Sequence, residues 1–165
     1  MKEFVSGFRN VILSSEEKFL TISDEQSSRK PSPGKWSSKQ ILGHLVDSSI
    51  NNMTRFINGQ FQDELVFSGY NQDKWVEAQN YDAAEWHFVI SLWKNNNLQI
   101  ARLVESIPRN ILIQPHKNHN FDAIAFNELS KDQPATLEYL IRDYVVHMKH
   151  HLNQIFKMNA MDVIY

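Results

Sequence analysis

The chain has 165 residues, of which 42% are hydrophobic and 22% are charged, and its formal net charge is −2. This composition is typical of a single globular domain over residues 1–165, and it lacks the basic field that binding to nucleic acid requires. Because the chain has no cysteine, disulfides, thiolate ligands and a cysteine nucleophile are excluded. A metal site would therefore use His, Asp or Glu.

Four segments have the periodicity of amphipathic helices, and strand-type alternation is hardly visible. The first helix is predicted over about residues 2–22, before the polar linker "SDEQSSRKPSPG". Ser37 and Gln40 have the spacing of a capping box, which predicts the start of the second helix. Gly59 predicts the end of that helix.

The third helix is predicted to begin with Asp82 as its N-cap and Glu85 three positions later, and to end at Pro108. The fourth is predicted to begin near Pro134, because proline suits the first position of a helix. It should run to about Met158. No stretch approaches about eighteen apolar residues, and charges interrupt the N-terminal segment. We therefore expect a cytoplasmic protein that does not contact a membrane.

Two connections of about twenty residues or more join these helices, over residues 59–81 and 109–133. Connections of this length are unusual in a bundle and often have a function. Four amphipathic helices without strands predict an all-α four-helix bundle with long inter-helix loops. Metal sites in this architecture usually lie between the helices.

The fourth helix contains three of the seven histidines of the chain within five residues. His147 and His151 lie four residues apart at one edge of the apolar face, so two stacked imidazoles could bind one ion. Two half-buried histidines on the flank of a helix would give the same pattern. His150 is expected to point towards solvent.

A third ligand could come from the second helix, where His44 lies almost opposite the apolar side. Short hydrogen-bonding groups and one arginine form a row with it, whereas a solvated face usually carries Lys and Glu. This row suits a polar cleft, and plain surface is the alternative. Its members besides His44 are Asp47, Ser48, Asn51 and Arg55.

The remaining histidines are expected to lie near the surface. His116 and His119 are in the polar loop sequence "QPHKNHN", where surface positions are the simpler interpretation. His87, beside Trp86, is expected to lie at the rim of the molecule.

Three segments together resemble the DinB-like superfamily, whose members are described as metal-dependent hydrolases. The resemblance covers nearly the whole chain, and its specific parts are the histidine after a Trp-led helix start and the H-x3-H of the last helix. It implies a DinB/YfiT-like bundle of up-down-down-up style and a homodimer. The segments are "GKWSSKQILGHLVDSSINNMTRF", "SLWKNNNLQI" and "TLEYLIRDYVVHMKHHLNQI".

The resemblance also implies a divalent ion, nickel or zinc in many members, bound by His44, His147 and His151. Ligating imidazoles normally donate their other N–H group to an acceptor. Asp47 lies one turn after His44 and Asp143 one turn before His147, so these two carboxylates are candidate acceptors.

Relatives within the superfamily include thiol S-transferases and thiol-dependent isomerases. The first hypothesis is therefore metal-dependent transfer of a low-molecular-weight thiol to an electrophilic small molecule, with Asn51 and Arg55 binding a carboxylate. A surface ion pair with Asp63 or Glu64 is the alternative for Arg55. The alternatives for the protein are metal-dependent hydrolysis and a non-catalytic module that binds a metal or a small molecule.

Overall fold

Four long helices and five shorter helical segments make up most of the computed structural model, which describes residues 1–164. Extended backbone pairs within this range only as isolated bridges. None of the helices in residues 1–164 is both long and apolar enough to cross a membrane. The elements are α1 (Lys2–Phe19), α2 (Asp24–Ser28), α3 (Ser38–Asn58), α4 (Gln72–Gln79), a 3-10 turn (Tyr81–Ala83), α5 (Trp86–Ser106), α6 (Arg109–Ile113), α7 (Phe121–Ile124) and α8 (Leu137–Met158).

Phe19 joins three of the long helices in the core. Its ring centroid lies 5.5 Å from that of Trp86, 5.3 Å from that of Trp93 and 5.6 Å from that of Phe156. The indole N–H of Trp86 also donates a hydrogen bond to the Phe19 carbonyl. Each such aromatic pair adds about 0.5–1.5 kcal/mol beyond the burial of its area. The cluster therefore fixes the end of α1 against α5 and α8, while α3 packs against both of those helices.

The start of α3 confirms the predicted capping box. The backbone N–H of Gln40 donates to the Ser37 hydroxyl, and the side-chain oxygen of Gln40 accepts from the Ser37 N–H. Gly59 is the C-cap, also as predicted. The helix that contains His44 is thus defined at both ends by local sequence.

The predicted start of α5 at Asp82 is wrong. Asp82 lies in the 3-10 turn, and the helix begins at Trp86 after Glu85, whose side chain makes no capping bond. The cap comes instead from α2, because the Asp24 carboxylate accepts the backbone N–H of Trp86 at 2.8 Å and the buried Lys39 ammonium at 2.9 Å. A long-range contact therefore replaces the local capping signal.

The predicted start of α8 near Pro134 is also wrong. The backbone of Ala135 is paired with that of His116 by two hydrogen bonds of 2.8 and 2.9 Å, which keeps this segment extended. The helix begins at Leu137 after Thr136, whose hydroxyl accepts the Tyr139 N–H. At the other end of the bundle, α1 stops three residues earlier than predicted, at Phe19 rather than residue 22.

The two long connections pack against each other over one side of the bundle. The Leu65 N–H donates to the Asn118 carbonyl at 3.0 Å, and the Asn120 side chain forms two hydrogen bonds with the backbone of Phe67. Both connections then pass over the polar row of α3. Residues that sequence periodicity places opposite the core are buried in this way.

Candidate metal centre

Helices α3 and α8 bring together the three histidines that the sequence singled out. The Nε2 atoms of His44 and His147 are 3.4 Å apart. One ring nitrogen from each of these residues and from His151 lies within 4.8 Å of the other two. A site of three histidines is therefore present.

The donor set fits a divalent transition metal. Burial lowers the pKa of His44 to about 3 and that of His147 to about 2, and neighbouring imidazoles add to both shifts. Burial also lowers the pKa of His151. All three rings are therefore neutral at pH 7, as metal ligands must be. Two nitrogen ligands about 2.0–2.1 Å from a tetrahedral zinc ion are separated by roughly 3.4 Å, which matches the spacing of His44 and His147.

The polar row of α3 forms a cleft, as one of the two sequence interpretations expected. His44 is 1% exposed, and Asp47, Ser48 and Arg55 are also buried. The ring of Trp36 lies against that of His44, with 5.3 Å between the centroids. The surface interpretation of this row is therefore wrong.

A cavity of about 270 Å³, called the inner cavity below, extends from His44 and His147 along α3. The α3 residues that line it are spaced four, four and three positions apart, so they lie on one face of the helix. Asn51 is not among the wall residues, and its amide donates to the Asp47 carbonyl one turn earlier. Its binding of substrate stays a prediction. The wall residues are His44, Ser48, Asn52 and Arg55, opposed by Gly69, Tyr70, Gln72, Ala123, Ile124, Ala125, Phe126, Leu140, Asp143, Tyr144 and His147.

Arg55 is a buried cation in the inner cavity and is 7% exposed. Its guanidinium donates to the Ser68 carbonyl at 2.9 Å and to the Asn52 side-chain oxygen at 3.3 Å. No carboxylate lies within 4.0 Å of it in residues 1–164, so the expected alternative of a surface ion pair with Asp63 or Glu64 is wrong. Burial lowers the pKa of Arg55, but a guanidinium stays charged in proteins.

Comparison with known proteins assigns the family. The sequence profile of the DinB superfamily matches residues 15–155. The chain belongs to the DinB superfamily. Its four-helix architecture also matches the solved structure of YfiT from Bacillus subtilis, "a probable metal-dependent hydrolase with an unusual four-helix bundle topology". That match has a TM-score of 0.74 at 19% identity and covers 97% of this chain and 88% of the other.

A relative in sequence is a protein from Geobacillus thermodenitrificans (strain NG80-2) named "Putative metal-dependent hydrolase". It is 23% identical over 158 residues, which cover 96% of this chain and 83% of the relative. Together with the structural match, this confirms the prediction of a DinB/YfiT-like four-helix bundle.

In this DinB-superfamily protein a glutamine orients one of the candidate ligands. The Nδ1 of His151 donates to the side-chain oxygen of Gln154 at 2.8 Å, which leaves Nε2 available to an ion. The amide of Gln154 in turn donates to Nε2 of His150 at 3.1 Å. His150 is exposed, as predicted. The sequence analysis missed Gln154, although its position one turn after His151 was a usable signal.

Asp47 does not accept the N–H of His44. Its Oδ1 accepts a 2.7 Å hydrogen bond from the Tyr81 hydroxyl and a weaker one from Gln79, while its buried Oδ2 has no partner in the part of the chain that the structure describes. The buried Nδ1 of His44 also has none. Burial raises the pKa of Asp47, although the two hydrogen bonds oppose this shift. Buried polar atoms without partners are rare in native proteins.

Asp143 likewise has partners other than the predicted imidazole. Its carboxylate accepts the backbone N–H groups of Phe126 and Asn127 at 2.8 Å and the side-chain amide of Asn127 at 2.9 Å. These bonds hold the ring of Phe126 5.4 Å from that of His147. Asp143 therefore positions one wall of the inner cavity instead of orienting a ligand.

The two histidines of the 109–133 loop are buried, so the expectation of surface positions is wrong. His116 Nδ1 forms a 2.9 Å hydrogen bond with the Asp63 carbonyl. His119 Nε2 donates to the Gln133 carbonyl, and its Nδ1 accepts the N–H of Phe121. Both rings hold the long connections in place, and neither belongs to the three-histidine group.

Proposed function

We propose that this protein is a divalent-metal-dependent enzyme that transfers a carboxylate-bearing, low-molecular-weight thiol to an electrophilic small molecule. The main observation in support is Arg55, a buried guanidinium that has no carboxylate partner among residues 1–164 and lies in the cavity that His44 and His147 line. A buried charge is costly unless it is paired. An anionic ligand in the inner cavity would provide the missing partner.

The surroundings of Arg55 suit a carboxylate. A guanidinium can donate two parallel hydrogen bonds to a carboxylate, and such charge-assisted pairs are the stronger ones in proteins. Burial raises the pKa of Tyr70, on the facing wall, to about 12, so its phenol stays a neutral donor. Asp143 lines the same cavity, but three N–H groups already bind its oxygens.

The three histidines would hold nickel or zinc, and that ion supplies Lewis acidity, which makes a thiol or a water molecule a better nucleophile near neutral pH. The chain has no cysteine, so the sulfur must come from a cosubstrate. In the transfer, sulfur bonds to the electrophilic carbon, and the bond from that carbon to the leaving group breaks. The leaving group departs with the electron pair, and the thiol proton passes to solvent.

The protein's own groups provide binding and orientation in this scheme. Arg55 would hold the carboxylate end of the thiol, since eleven residues of helix place it roughly 16 Å along the axis from His44. The Phe126 ring packs beside His147 on the wall of the inner cavity. Such positioning lowers the entropic part of the barrier.

Hydrolysis is the second candidate function, because the Geobacillus protein is named a putative metal-dependent hydrolase and YfiT a probable one. Water would then replace the thiol as the nucleophile, and Arg55 would bind an anionic substrate. A test with and without thiol separates the two reactions.

The test uses protein loaded with zinc or nickel, monochlorobimane as the electrophile, and either glutathione or 2-mercaptoethanol as the thiol. Arg55→Gln is expected to raise the KM for glutathione by about 10- to 100-fold with little change in kcat, because a two-pronged ionic contact is lost. The KM for 2-mercaptoethanol, which has no carboxylate, should stay the same. Arg55→Lys keeps the positive charge but cannot donate two parallel hydrogen bonds, so its KM for glutathione should lie between those of wild type and Arg55→Gln.

Arg102→Gln is the matched control, because this arginine is exposed and lies outside the inner cavity. Circular dichroism and metal analysis would establish that each variant is folded and loaded. Equal KM values for glutathione in wild type and Arg55→Gln would refute the role of Arg55. Thiol-independent hydrolysis of 4-nitrophenyl acetate without any conjugation would favour the hydrolase, and ligand binding without turnover would favour a non-catalytic module.

A further inference from the structure

A second cavity, called the outer cavity below, also borders the three-histidine group. It has a volume of about 740 Å³ and is lined by His151 and Gln154, whereas His44 and His147 line the inner cavity. Gln72, the first residue of α4, lines both cavities. The three-histidine group thus borders both cavities.

The walls of the outer cavity are apolar near the histidines. Trp36 and Met158 are half-buried, and Ile41 is buried beside them. An aromatic ring suits this environment, because tryptophan offers a stacking surface and the methionine sulfur packs well against ring edges. The volume is within the range of sites that bind small molecules.

The charge at the opening of the outer cavity is positive. Lys35 and Lys157 are exposed and line it, and neither forms an ion pair with another residue in the range 1–164. Asp73 is the one acidic residue among the lining residues, so the lining has a net charge of +1 when His151 is neutral. A ligand with an anionic group complements this arrangement.

We infer that the outer cavity binds the electrophile while the inner cavity binds the thiol. The electrophile is a small molecule with an aromatic ring and an anionic group. This inference rests on the proposed function, because a transfer needs two reactants that approach one centre. With the thiol carboxylate at Arg55, the inner cavity is occupied up to His44 and His147. The outer cavity then provides a separate approach past His151.

The probe is 4-chloro-3,5-dinitrobenzoate, an aromatic electrophile with a carboxylate, compared with neutral 1-chloro-2,4-dinitrobenzene. The thiol sulfur bonds to the ring carbon that bears chlorine, the C–Cl bond breaks, chloride leaves with the electron pair, and the thiol proton passes to the buffer. In the double variant Lys35→Gln/Lys157→Gln, the KM for the anionic probe should rise by about 3- to 20-fold, because two exposed charge contacts are lost. The KM for the neutral probe should change much less.

Lys117→Gln is the matched control, because this exposed lysine lines neither cavity. It should leave both KM values unchanged. The unreactive analogue 3,5-dinitrobenzoate, which has no leaving group, should inhibit competitively against the electrophile and not against glutathione. Competition with glutathione, or an unchanged KM for the anionic probe in the double variant, would overturn the inference.

Binding of 3,5-dinitrobenzoate to zinc-loaded protein, measured by calorimetry, distinguishes this inference from the proposed function. If wild type binds it about 3- to 20-fold more tightly than the double variant but catalyses no conjugation, the outer cavity is an aromatic-anion site and thiol transfer is refuted. If conjugation occurs but wild type and double variant bind the benzoate equally, or not at all, the electrophile binds elsewhere and this inference is refuted.

Discussion

Replacing Asp47 by asparagine is expected to stabilise the metal-free protein while weakening its affinity for metal. The carboxylate is fully buried, and its Oδ2 has no hydrogen-bond partner within residues 1–164. Asparagine keeps a carbonyl oxygen that can accept the Tyr81 hydroxyl, but it removes the buried negative charge. Leaving a buried polar group unsatisfied costs about 1–3 kcal/mol, and more when the group is charged. The asparagine amide that replaces Oδ2 stays unpaired, so Asp47→Asn removes only the part of this cost that belongs to the charge and should raise the free energy of unfolding by about 1 kcal/mol at neutral pH.

The raised pKa of Asp47 predicts how the difference in stability between wild type and Asp47→Asn depends on pH. Burial raises the pKa of Asp47 in the folded protein above the unfolded value of about 3.9. Between these two pKa values the native state holds a proton that the unfolded state lacks, so the free energy of unfolding of the wild type falls as pH rises. The variant has no such decline. The difference in stability should be full above the folded pKa and should vanish as pH approaches 4.

The affinity for metal should fall in Asp47→Asn while the stability of the metal-free protein rises, because a negative charge one turn from His44 attracts a divalent cation. Loss of a supporting group near a metal typically costs about 10- to 100-fold in affinity. Urea unfolding in the presence of a chelator between pH 4 and 8 and competition for zinc with a chromophoric chelator measure the two effects. Asp132→Asn, at an exposed position, is the control. A less stable Asp47→Asn protein with unchanged zinc affinity would refute the reasoning.

His147→Ala should abolish stoichiometric zinc binding, whereas His150→Ala should retain it, since His150 faces solvent. Metal analysis after desalting measures this, and equal losses would contradict the assignment. Gly43→Ala should lower the free energy of unfolding by about 1–3 kcal/mol, because the added Cβ would overlap the Tyr81 ring. Gly7→Ala, where an added Cβ meets nothing within 4 Å, should instead stabilise the helix by about 0.5–1 kcal/mol. Urea unfolding compares the two, and equal effects would contradict the steric argument.

Local signals in the sequence predicted the parts of the fold that depend on neighbours along the chain. The capping box at Ser37 formed as expected, because its two hydrogen bonds join residues three positions apart. The four-residue spacing of His147 and His151 likewise placed both rings on one side of α8. The residue types of the row on α3 indicated a cleft as one of two interpretations, and burial decides between them.

Contacts between distant segments explain what the sequence analysis missed. The α5 N-terminus uses Asp24, which lies 62 residues before Trp86, so the local signal at Asp82 was misleading. Asp143 binds a loop 16 to 17 residues away, which helical spacing cannot reveal. The burial of His116 depends on a carbonyl 53 residues earlier in the chain. Periodicity describes one helix at a time, and these interactions join different elements.

The two facing nitrogens of His44 and His147 belong to residues 103 positions apart, in a chain that contains no cysteine. An ion bound by both would connect the first half of the protein to its last helix, as a disulfide does in a secreted domain. Since the unfolded chain does not hold these residues together, each tenfold rise in free metal above the dissociation constant would add about 1.4 kcal/mol to stability. Proteases in the cell remove unfolded chains. The steady-state amount of this protein would therefore follow the supply of its ion, so that turnover itself would match protein abundance to metal availability.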